Sequence, residues 1–158
     1  MTTILSVAEK PSVARELANI LCANGNPQKR SGKSKYNHIF DCGPAQFRGG
    51  QCQSHAMTSV SGHTMDTDFG EHKSWNSCAP IDLFTLPVYN KIKPEAENIA
   101  KTLESEAKRH NTLLLWLDCD LEGENIAFEV IQICKEANPR LNVFRARFSA
   151  LIPRDIFR

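Results

Sequence analysis

The chain has 158 residues, 41% of them hydrophobic, and a formal net charge of +1 from 19 basic and 18 acidic side chains. A chain of this length buries roughly two-thirds of its unfolded surface, so we expect one domain over residues 1–158 that needs no disulfide or metal to fold. The near-balanced charge excludes a polycation that binds phosphates by bulk charge, and the longest apolar run, 113–117, is far below the roughly 20 residues of a membrane helix.

The first half of the chain predicts a strand, a helix and a hairpin. Residues 3–8 (TILSVA) form an apolar strand, and a helix with Pro11 in its first turn follows and ends near residues 24–27. The basic segment 28–35 (QKRSGKSK) is expected to be a solvated loop. Residues 36–42 and 54–61 are then predicted as two strands, separated by a turn region at 43–50.

The second half contains the strongest structural signal. Residues 62–94 show little periodicity and are predicted as loops and short helices, whereas 94–110 form an amphipathic helix. The apolar run 112–117 (TLLLWL) predicts a strand that is buried on both faces, followed by a helix over 125–137, a strand over 141–148 and a short helix at 152–156. This alternation predicts an α/β fold, with an open, mainly parallel sheet and helices on both faces.

Acidic residues follow two of the predicted strands. Glu9 comes after the first strand, and Asp118, Asp120 and Glu122 come after the apolar one. In an extended segment, side chains two residues apart point the same way, so the two aspartates can face one spot at the carboxyl end of the sheet. Carboxylates this close repel unless a hard divalent cation neutralises them, which favours a Mg²⁺ site. Glu122 alone is equally well explained by the preference of helix N-termini for acids.

The cysteines carry no metal-binding signature. The six cysteines include no CxxC pair, and the first residues lack the charged and apolar regions of a secretory leader. We therefore expect reduced thiols in the cytosol or nucleus rather than disulfides.

Several motifs together resemble a known family. The segments 117–124 (LDCDLEGE) and 8–10 (AEK) are similar to the TOPRIM domain shared by topoisomerases, primases and some nucleases. Further matches at 6–14 (SVAEKPSVA), 57–63 (MTSVSGH) and 143–150 (VFRARFSA) are typical of the N-terminal region of type IA topoisomerases, most closely the alpha-type branch of eukaryotic topoisomerase III. The segments 34–37 and 73–78 support the same branch.

The resemblance implies a role for each acidic residue and for Lys10. Glu9 would lie beside the scissile phosphate, assist proton transfer to the departing 3′ oxygen and share in Mg²⁺ binding. Asp118, Asp120 and Glu122 would form the metal-binding triad, with the aspartates as principal ligands. The Lys10 ammonium would neutralise phosphate charge in the transition state.

The resemblance also implies contacts with DNA. His63 of the SGH motif would contact DNA, and Arg145 and Arg147 would make phosphate or active-site contacts. From the residues alone, Lys10 could be a solvated residue at a helix start, and the two arginines could pair with surface acids. For His63 the residues alone favour a plain loop role, and the resemblance reverses that preference. Leu121 departs from the family pattern, which usually carries Arg or Lys there.

The reaction implied for the family is an ATP-independent transesterification through a 5′-phosphotyrosine. Neither Tyr36 nor Tyr89 stands in the context of the catalytic tyrosine, so we expect this chain to be an N-terminal fragment that neither cleaves nor relaxes DNA alone. The alternatives are a TOPRIM nuclease or primase, and a non-catalytic docking module. The family further implies single-stranded DNA, a RecQ-family helicase and an RMI-family OB-fold protein as partners, and a nuclear location with a mitochondrial form as the alternative.

Overall fold

The computed structural model describes residues 1–22, 26–71, 74 and 76–157. Its strands are β1 (Thr2–Ala8), β2 (Gln28–Arg30), β3 (Ile39–Asp41), β4 (Ala45–Phe47), β5 (Gly50–Ser59), β6 (Met65–Asp68), β7 (Tyr89–Ile92), β8 (Thr112–Trp116) and β9 (Asn142–Arg145). Its α-helices are α1 (Pro11–Leu21), α2 (Glu97–Ala107), α3 (Leu121–Ala137) and α4 (Pro153–Ile156). Two short 3₁₀ helices cover Pro80–Phe84 and Pro94–Ala96.

The main sheet is parallel at its centre and antiparallel at one edge. Its strand order is β2-β3-β5-β1-β8-β9, and β4 pairs with β5 outside this path. The four strands β5, β1, β8 and β9 run parallel, whereas β2, β3 and β4 join by antiparallel pairing. The predicted α/β class is therefore confirmed, with a mixed sheet whose parallel part is central. Two further strands, β6 and β7, form a separate antiparallel hairpin.

Helices cover both faces of this sheet, as predicted. On one face, apolar residues of α2 and α3 such as Leu103, Ile126 and Val130 pack with β1 and β8 in one buried cluster. On the other face, Leu17 of α1 packs with Met57 and with the neighbouring strands in a second cluster. Because β1 and β8 are buried on both faces, they read as continuous apolar runs rather than as alternating ones.

The connections that follow the two central strands leave in opposite directions. The α1 helix after β1 lies on one face, and the α3 helix after β8 lies on the other. In parallel α/β sheets, such a divergence between neighbouring strands opens a crevice at their carboxyl ends. The crevice between β1 and β8 is where the predicted acids lie.

The predictions with strong apolar patterning are confirmed. The structure contains the strands at 3–8 and 112–117, the helix that begins at Pro11, and the helices within 94–110 and 125–137. Helix α1 ends at Leu21, earlier than predicted, and residues 24 and 25 of the predicted end lie outside the described residues. The last strand is shorter than predicted and ends at Arg145.

Three segments differ from the prediction. The basic segment begins with β2, because Arg30 is held by Asp41 at 2.6 Å and by Glu106 at 2.6 Å, and this pairing offsets the cost of partial burial. The predicted turn at 43–50 contains the edge strand β4. The irregular segment 62–94 contains the β6–β7 hairpin, whose exposed strands lack the alternation that signals a half-buried sheet.

The prediction that all six cysteines are reduced is wrong for one pair. Cys22 at the end of α1 and Cys42 just after β3 are joined by a disulfide, with Cα atoms 4.8 Å apart. The fold brings together two segments whose proximity the spacing along the chain does not reveal. Cys52, Cys78, Cys119 and Cys134 are free thiols.

Among the helices in the described ranges, none is both long and apolar enough to cross a membrane.

Candidate functional site

The carboxyl ends of β1 and β8 share one acidic cavity. The two strands pair in register, with Ala8 opposite Trp116, so the residues that follow them emerge side by side. The cavity has a volume of about 500 Å³. It is lined by Glu9, Lys10, Pro11, Ser61, Gly62, Asp118, Asp120 and Glu122. The structure therefore brings together all four predicted carboxylates and the predicted lysine.

Glu9 is the buried member of the site. It is 7% exposed, and one carboxylate oxygen pairs with Lys10 Nζ at 3.2 Å. The other oxygen accepts a hydrogen bond from the backbone N–H of Asp118 at 3.4 Å. Glu9 thus ties the end of β1 to the segment that leaves β8.

Lys10 is exposed and surrounded by negative charge. The hydrogen bond and the charge of Glu9, followed by the charge of Asp118, raise the pKa of Lys10 above its usual value, while Glu122 adds a smaller contribution. Lys10 is also the residue that precedes α1, where Pro11 occupies the first turn. The ammonium is therefore held at the mouth of the cavity as a permanent cation at neutral pH.

Asp120 begins α3. Its Oδ1 accepts a hydrogen bond from the backbone N–H of Gly123 at 2.7 Å, which satisfies one of the free donors of the helix N-terminus. Glu122 and Glu124 lie in the first helical turn, where the helix dipole favours acids. Glu122 can therefore stabilise the start of the helix and line the cavity at the same time.

Gly123 lets α3 approach the exit of β8. A Cβ atom at this position would overlap the carbonyl oxygen of Asp118 and lie 3.0 Å from its carbonyl carbon. Since both obstructing atoms belong to the backbone, no side-chain rotation can relieve the contact. The sharp turn between strand and helix that presents Asp118 and Asp120 therefore requires glycine.

Arg145 lies against the backbone of the same turn. Its guanidinium donates to the carbonyl oxygens of Leu117 at 2.7 Å and Asp118 at 2.8 Å, and its Nε donates to Glu124 at 3.0 Å. The side chain is 20% exposed. Arg145 thus fixes the acidic segment from the neighbouring strand β9, and its predicted phosphate or active-site role remains a prediction.

The structure places Arg147 apart from Arg145. It follows the end of β9 and lines a separate cavity of about 400 Å³ with Cys119, Phe148, Ser149 and Asp155. Within the described residues it forms no ion pair closer than 4.0 Å, which leaves its charge available. Its predicted contact with DNA remains a prediction.

His63 lies beyond the rim of the acidic cavity. The preceding Gly62 lines that cavity, has a φ of +77°, and donates its N–H to the carbonyl of Glu9 at 3.4 Å. The imidazole of His63 contacts Glu129 of α3 at 2.7 Å and is about one-third exposed. Its predicted contact with DNA also remains a prediction.

The oxygen atoms of the cavity side chains are chemically suited to bind a hard cation, but the side chains do not form a complete coordination shell. Besides the Lys10 ammonium, which cannot bind a cation, the polar side chains of the lining carry carboxylate and hydroxyl oxygens, the ligands that Mg²⁺ prefers. Across the part of the chain that the structure describes, however, no three His, Cys, Asp or Glu side chains stand close enough to hold an ion. One oxygen of Asp120 and both oxygens of Glu9 are engaged in protein contacts, so Asp118 and Glu122 are the freest ligands.

The sequence patterns did not identify two residues of the site. Glu124 orients Arg145, and Glu129 binds the segment that carries His63. Glu124 belongs to the same motif as three other acids, so nothing in the sequence distinguishes it from them. Glu129 did leave a signal, because a glutamate stands between the apolar residues Ile126 and Val130 on the inner face of a helix.

The chain is similar to known proteins over nearly its whole length. A family model described as the Toprim domain matches residues 4–151. The chain is similar to DNA topoisomerase 3-alpha of Arabidopsis thaliana, with 48% identity over 98% of this chain and 16% of the relative. It is similar to DNA topoisomerase 3 of Dictyostelium discoideum, with 48% identity over 98% of this chain and 19% of the relative.

A human protein shows the same pattern. DNA topoisomerase 3-alpha of Homo sapiens is 42% identical over 95% of this chain and 15% of its own length. The chain therefore spans less than one-fifth of the length of these curated relatives.

Proposed function

The chain belongs to the Toprim domain family, and on that premise we propose that it is the cation- and phosphate-binding domain of a type IA DNA topoisomerase. The observation that carries the proposal is the meeting of Glu9 and Lys10 with the acidic segment Asp118–Glu122 around one cavity. The motifs that line the cavity are the ones in which the chain resembles the TOPRIM region of these enzymes.

In the proposed reaction, a tyrosine hydroxyl attacks a backbone phosphate of a single DNA strand. The bond from phosphorus to the 3′ oxygen breaks, the tyrosine becomes joined to the 5′ phosphate, and the 3′ oxygen gains a proton. One phosphoester bond replaces another, so no ATP is consumed. The reverse attack by the 3′ hydroxyl reseals the strand after another strand has passed.

Glu9 and Lys10 are suited to two parts of this reaction. Lys10 carries a charge opposite to that of the phosphate, and the surrounding acids keep it protonated. Glu9 is buried beside it, within hydrogen-bonding reach of the lysine, and can pass a proton to the departing 3′ oxygen. Gly62 and Ser61 close the cavity on the side that leads to His63.

Toprim domains as a class bind Mg²⁺. In this chain Asp118, Asp120 and Glu122 would hold the ion, together with Glu9 and oxygens of the DNA phosphate. The bound ion would neutralise the acids and the phosphate and so let the two approach. Because the phosphate supplies ligands, the carboxylates need not form a complete shell before DNA binds.

The attacking tyrosine is proposed to come from another part of the protein. The sequence contains two tyrosines, and both are exposed, Tyr36 at 77% and Tyr89 at 55%. Neither lines the acidic cavity. The resemblance to type IA topoisomerases further supports a RecQ-family helicase and an RMI-family protein as partners, and a nuclear location.

A titration with Mn²⁺ in place of Mg²⁺ tests the cation site. We expect the unsubstituted chain to bind Mn²⁺ weakly, as measured by the loss of the free-ion electron paramagnetic resonance signal. The double substitution Asp118→Asn with Asp120→Asn is expected to lower the affinity at least about tenfold, because it removes two anionic oxygen ligands.

The matched control removes the same charge elsewhere. Asp66 and Asp82 are acids outside the cavity, and their joint replacement by Asn changes the net charge equally. We expect this control to bind Mn²⁺ as the unsubstituted chain does. Equal binding by both double variants would show that the assigned site is wrong.

A further inference from the structure

Glu129 is a buried carboxylate on the apolar face of α3. It is 6% exposed, and its neighbours along that face, Ile126 and Val130, are fully buried. A carboxylate removed from water in this way is costly unless donors satisfy its oxygens. The fold must therefore provide those hydrogen-bond donors, and their positions show which segment Glu129 binds.

Every donor to Glu129 comes from the segment 63–65. Its Oε2 accepts from the backbone N–H groups of Thr64 at 2.6 Å and Met65 at 3.1 Å, and from the Thr64 hydroxyl at 3.0 Å. Its Oε1 lies 2.7 Å from Nδ1 of His63. Burial raises the pKa of Glu129, but these hydrogen bonds outweigh it and leave the pKa below its usual value. The carboxylate is therefore an anion at neutral pH.

This bonding fixes which ring nitrogen of His63 carries a proton. An ionised carboxylate has no proton to donate, so Nδ1 of His63 must be the donor. The other nitrogen, Nε2, is then the only ring nitrogen left for a ligand. Since one-third of the side chain is exposed, a ligand can reach the imidazole from solvent.

The position of this pair relates it to the acidic cavity. His63 follows Gly62 on the cavity rim, and Glu129 lies on the helix that Asp120 begins. Glu129 follows Asp120 by nine residues, which correspond to about 13 Å along the helix axis. A group bound at His63 would therefore be distinct from one bound by the carboxylates of the cavity, while the same helix holds both sites in a fixed relation.

We propose that Glu129 is a positioning residue that holds His63, through its Nδ1–H, in place for a second backbone phosphate of the DNA strand. This inference rests on the proposed function, since it takes the strand to pass through the acidic cavity. With both ring nitrogens protonated, His63 would donate from Nε2 to the phosphate, and the negative charge of Glu129 would balance the imidazolium. A phosphate is favoured over a neutral ligand because a hydrogen bond between two charged groups is stronger than one to a neutral group.

The first test measures the tautomer of His63. In Glu129→Gln, the single amide oxygen accepts the hydrogen bonds from the backbone N–H groups of Thr64 and Met65 and from the Thr64 hydroxyl. The amide NH₂ group then points towards Nδ1 of His63. That nitrogen must then accept, so the proton of neutral His63 moves to Nε2. We expect ¹⁵N ring spectra above the imidazole pKa to show an Nδ1–H tautomer in the unsubstituted chain and an Nε2–H tautomer in the variant.

The matched control is Glu136→Gln, an exposed glutamate on the same helix. It should keep the Nδ1–H tautomer. The same tautomer in the unsubstituted chain and in Glu129→Gln would overturn the proposal.

The second test measures the affinity for a short oligothymidylate by fluorescence anisotropy at fixed low salt in the presence of Mg²⁺. We expect Glu129→Gln and His63→Gln each to weaken binding about fivefold, the scale of one charge-assisted phosphate contact. In a His63→Gln background, the Glu129→Gln substitution should have no further effect. A role of Glu129 in packing alone would weaken binding equally in both backgrounds and would overturn the proposal.

If Glu129→Gln fails to fold, His63→Gln still tests the phosphate contact, because it leaves the buried carboxylate of Glu129 intact. Unchanged oligothymidylate affinity in His63→Gln would overturn the proposal. Failure of the proposed function has a different signature. It would appear as Mn²⁺ binding that is indifferent to Asp118 and Asp120, whereas the His63 tautomer and its dependence on Glu129 do not involve those residues.

Discussion

The acidic cavity and the β6–β7 hairpin segment, residues 65–92, are both attached to α3, but they are built in opposite ways. The cavity stands on β1 and β8, whose residues Val7, Ala8 and Leu115 are at most 1% exposed. The hairpin segment instead exposes apolar side chains, with Ile81 at 72% and Phe84 at 87%. Precise placement of polar groups therefore depends on the close-packed backbone beneath them, because such strands cannot shift without losing contacts.

The strongest test of this contrast is Gly123→Ala. The added Cβ would overlap the backbone of Asp118, so helix or strand must move. We expect the free energy of unfolding to fall by about 3 kcal/mol, at the upper end of the cost of overpacking. Urea denaturation measures this loss, and Mn²⁺ affinity should fall with it.

Gly50 at the start of β5 offers a matched control. Its backbone φ is not positive, and a Cβ there would meet its nearest neighbour, the carbonyl oxygen of Phe47, at an ordinary 3.7 Å. Gly50→Ala should therefore change stability little. If both alanine variants are equally stable, the turn at Gly123 is not the close contact that the structure describes.

A second prediction concerns acid sensitivity of the buried sheet. Burial, with a smaller contribution from the charge of His110, lowers the pKa of His55 to about 4. The unfolded chain then binds the proton first, so this stabilisation is complete above about pH 6.5 and is lost as the pH falls towards 4. We expect a loss of about 3 kcal/mol across that window.

Urea denaturation at several pH values between 7 and 4 measures this loss. His55→Gln keeps a polar group near Ser6, the partner of His55 at 2.8 Å, but cannot take up a proton. Its stability should therefore be flatter over the same window. An equally steep loss in the variant would assign the acid sensitivity to other groups.

The smallest effect is expected in the hairpin segment. Phe84→Ser replaces a side chain that is 87% exposed, so the free energy of unfolding should change by no more than about 0.5 kcal/mol. Leu113→Ala in β8 provides the contrast, because a fully buried leucine is expected to cost about 2–5 kcal/mol. A large loss in Phe84→Ser would mean that the hairpin contributes to the core.

The same contrast explains what the sequence could predict. The strands β1 and β8 and the helix α3 have long apolar patterns, and the acids that follow them fall where parallel sheets bind ligands. The strands β6 and β7 carry exposed Asp66, Thr67, Asn90 and Lys91, so periodicity could not reveal them. Their pairing is decided by tertiary contacts, including the hydrogen bond from Met65 to Glu129.

Contacts between distant segments account for the other differences. Arg30 was predicted to be solvated because neighbouring basic residues suggest a loop, but its carboxylate partners lie 11 and 76 residues away. A role for Arg145 was implied by the family resemblance, but the carbonyl groups that it binds are brought near it only by the pairing of β8 with β9. The sequence identifies these two arginines as polar groups, but only the fold shows which groups they bind.

The parallel pairing of β1 with β8 also bears on how the chain folds. Glu9 and Asp118 are separated by 109 residues, and Ile4 pairs with Thr112 across a similar interval. Contacts of such long sequence separation form slowly, because the entropy of closing the intervening loop is lost before the contacts repay it. No locally folded piece can hold both halves of the acidic cavity, so the cation site that we propose can form only when the central sheet is complete.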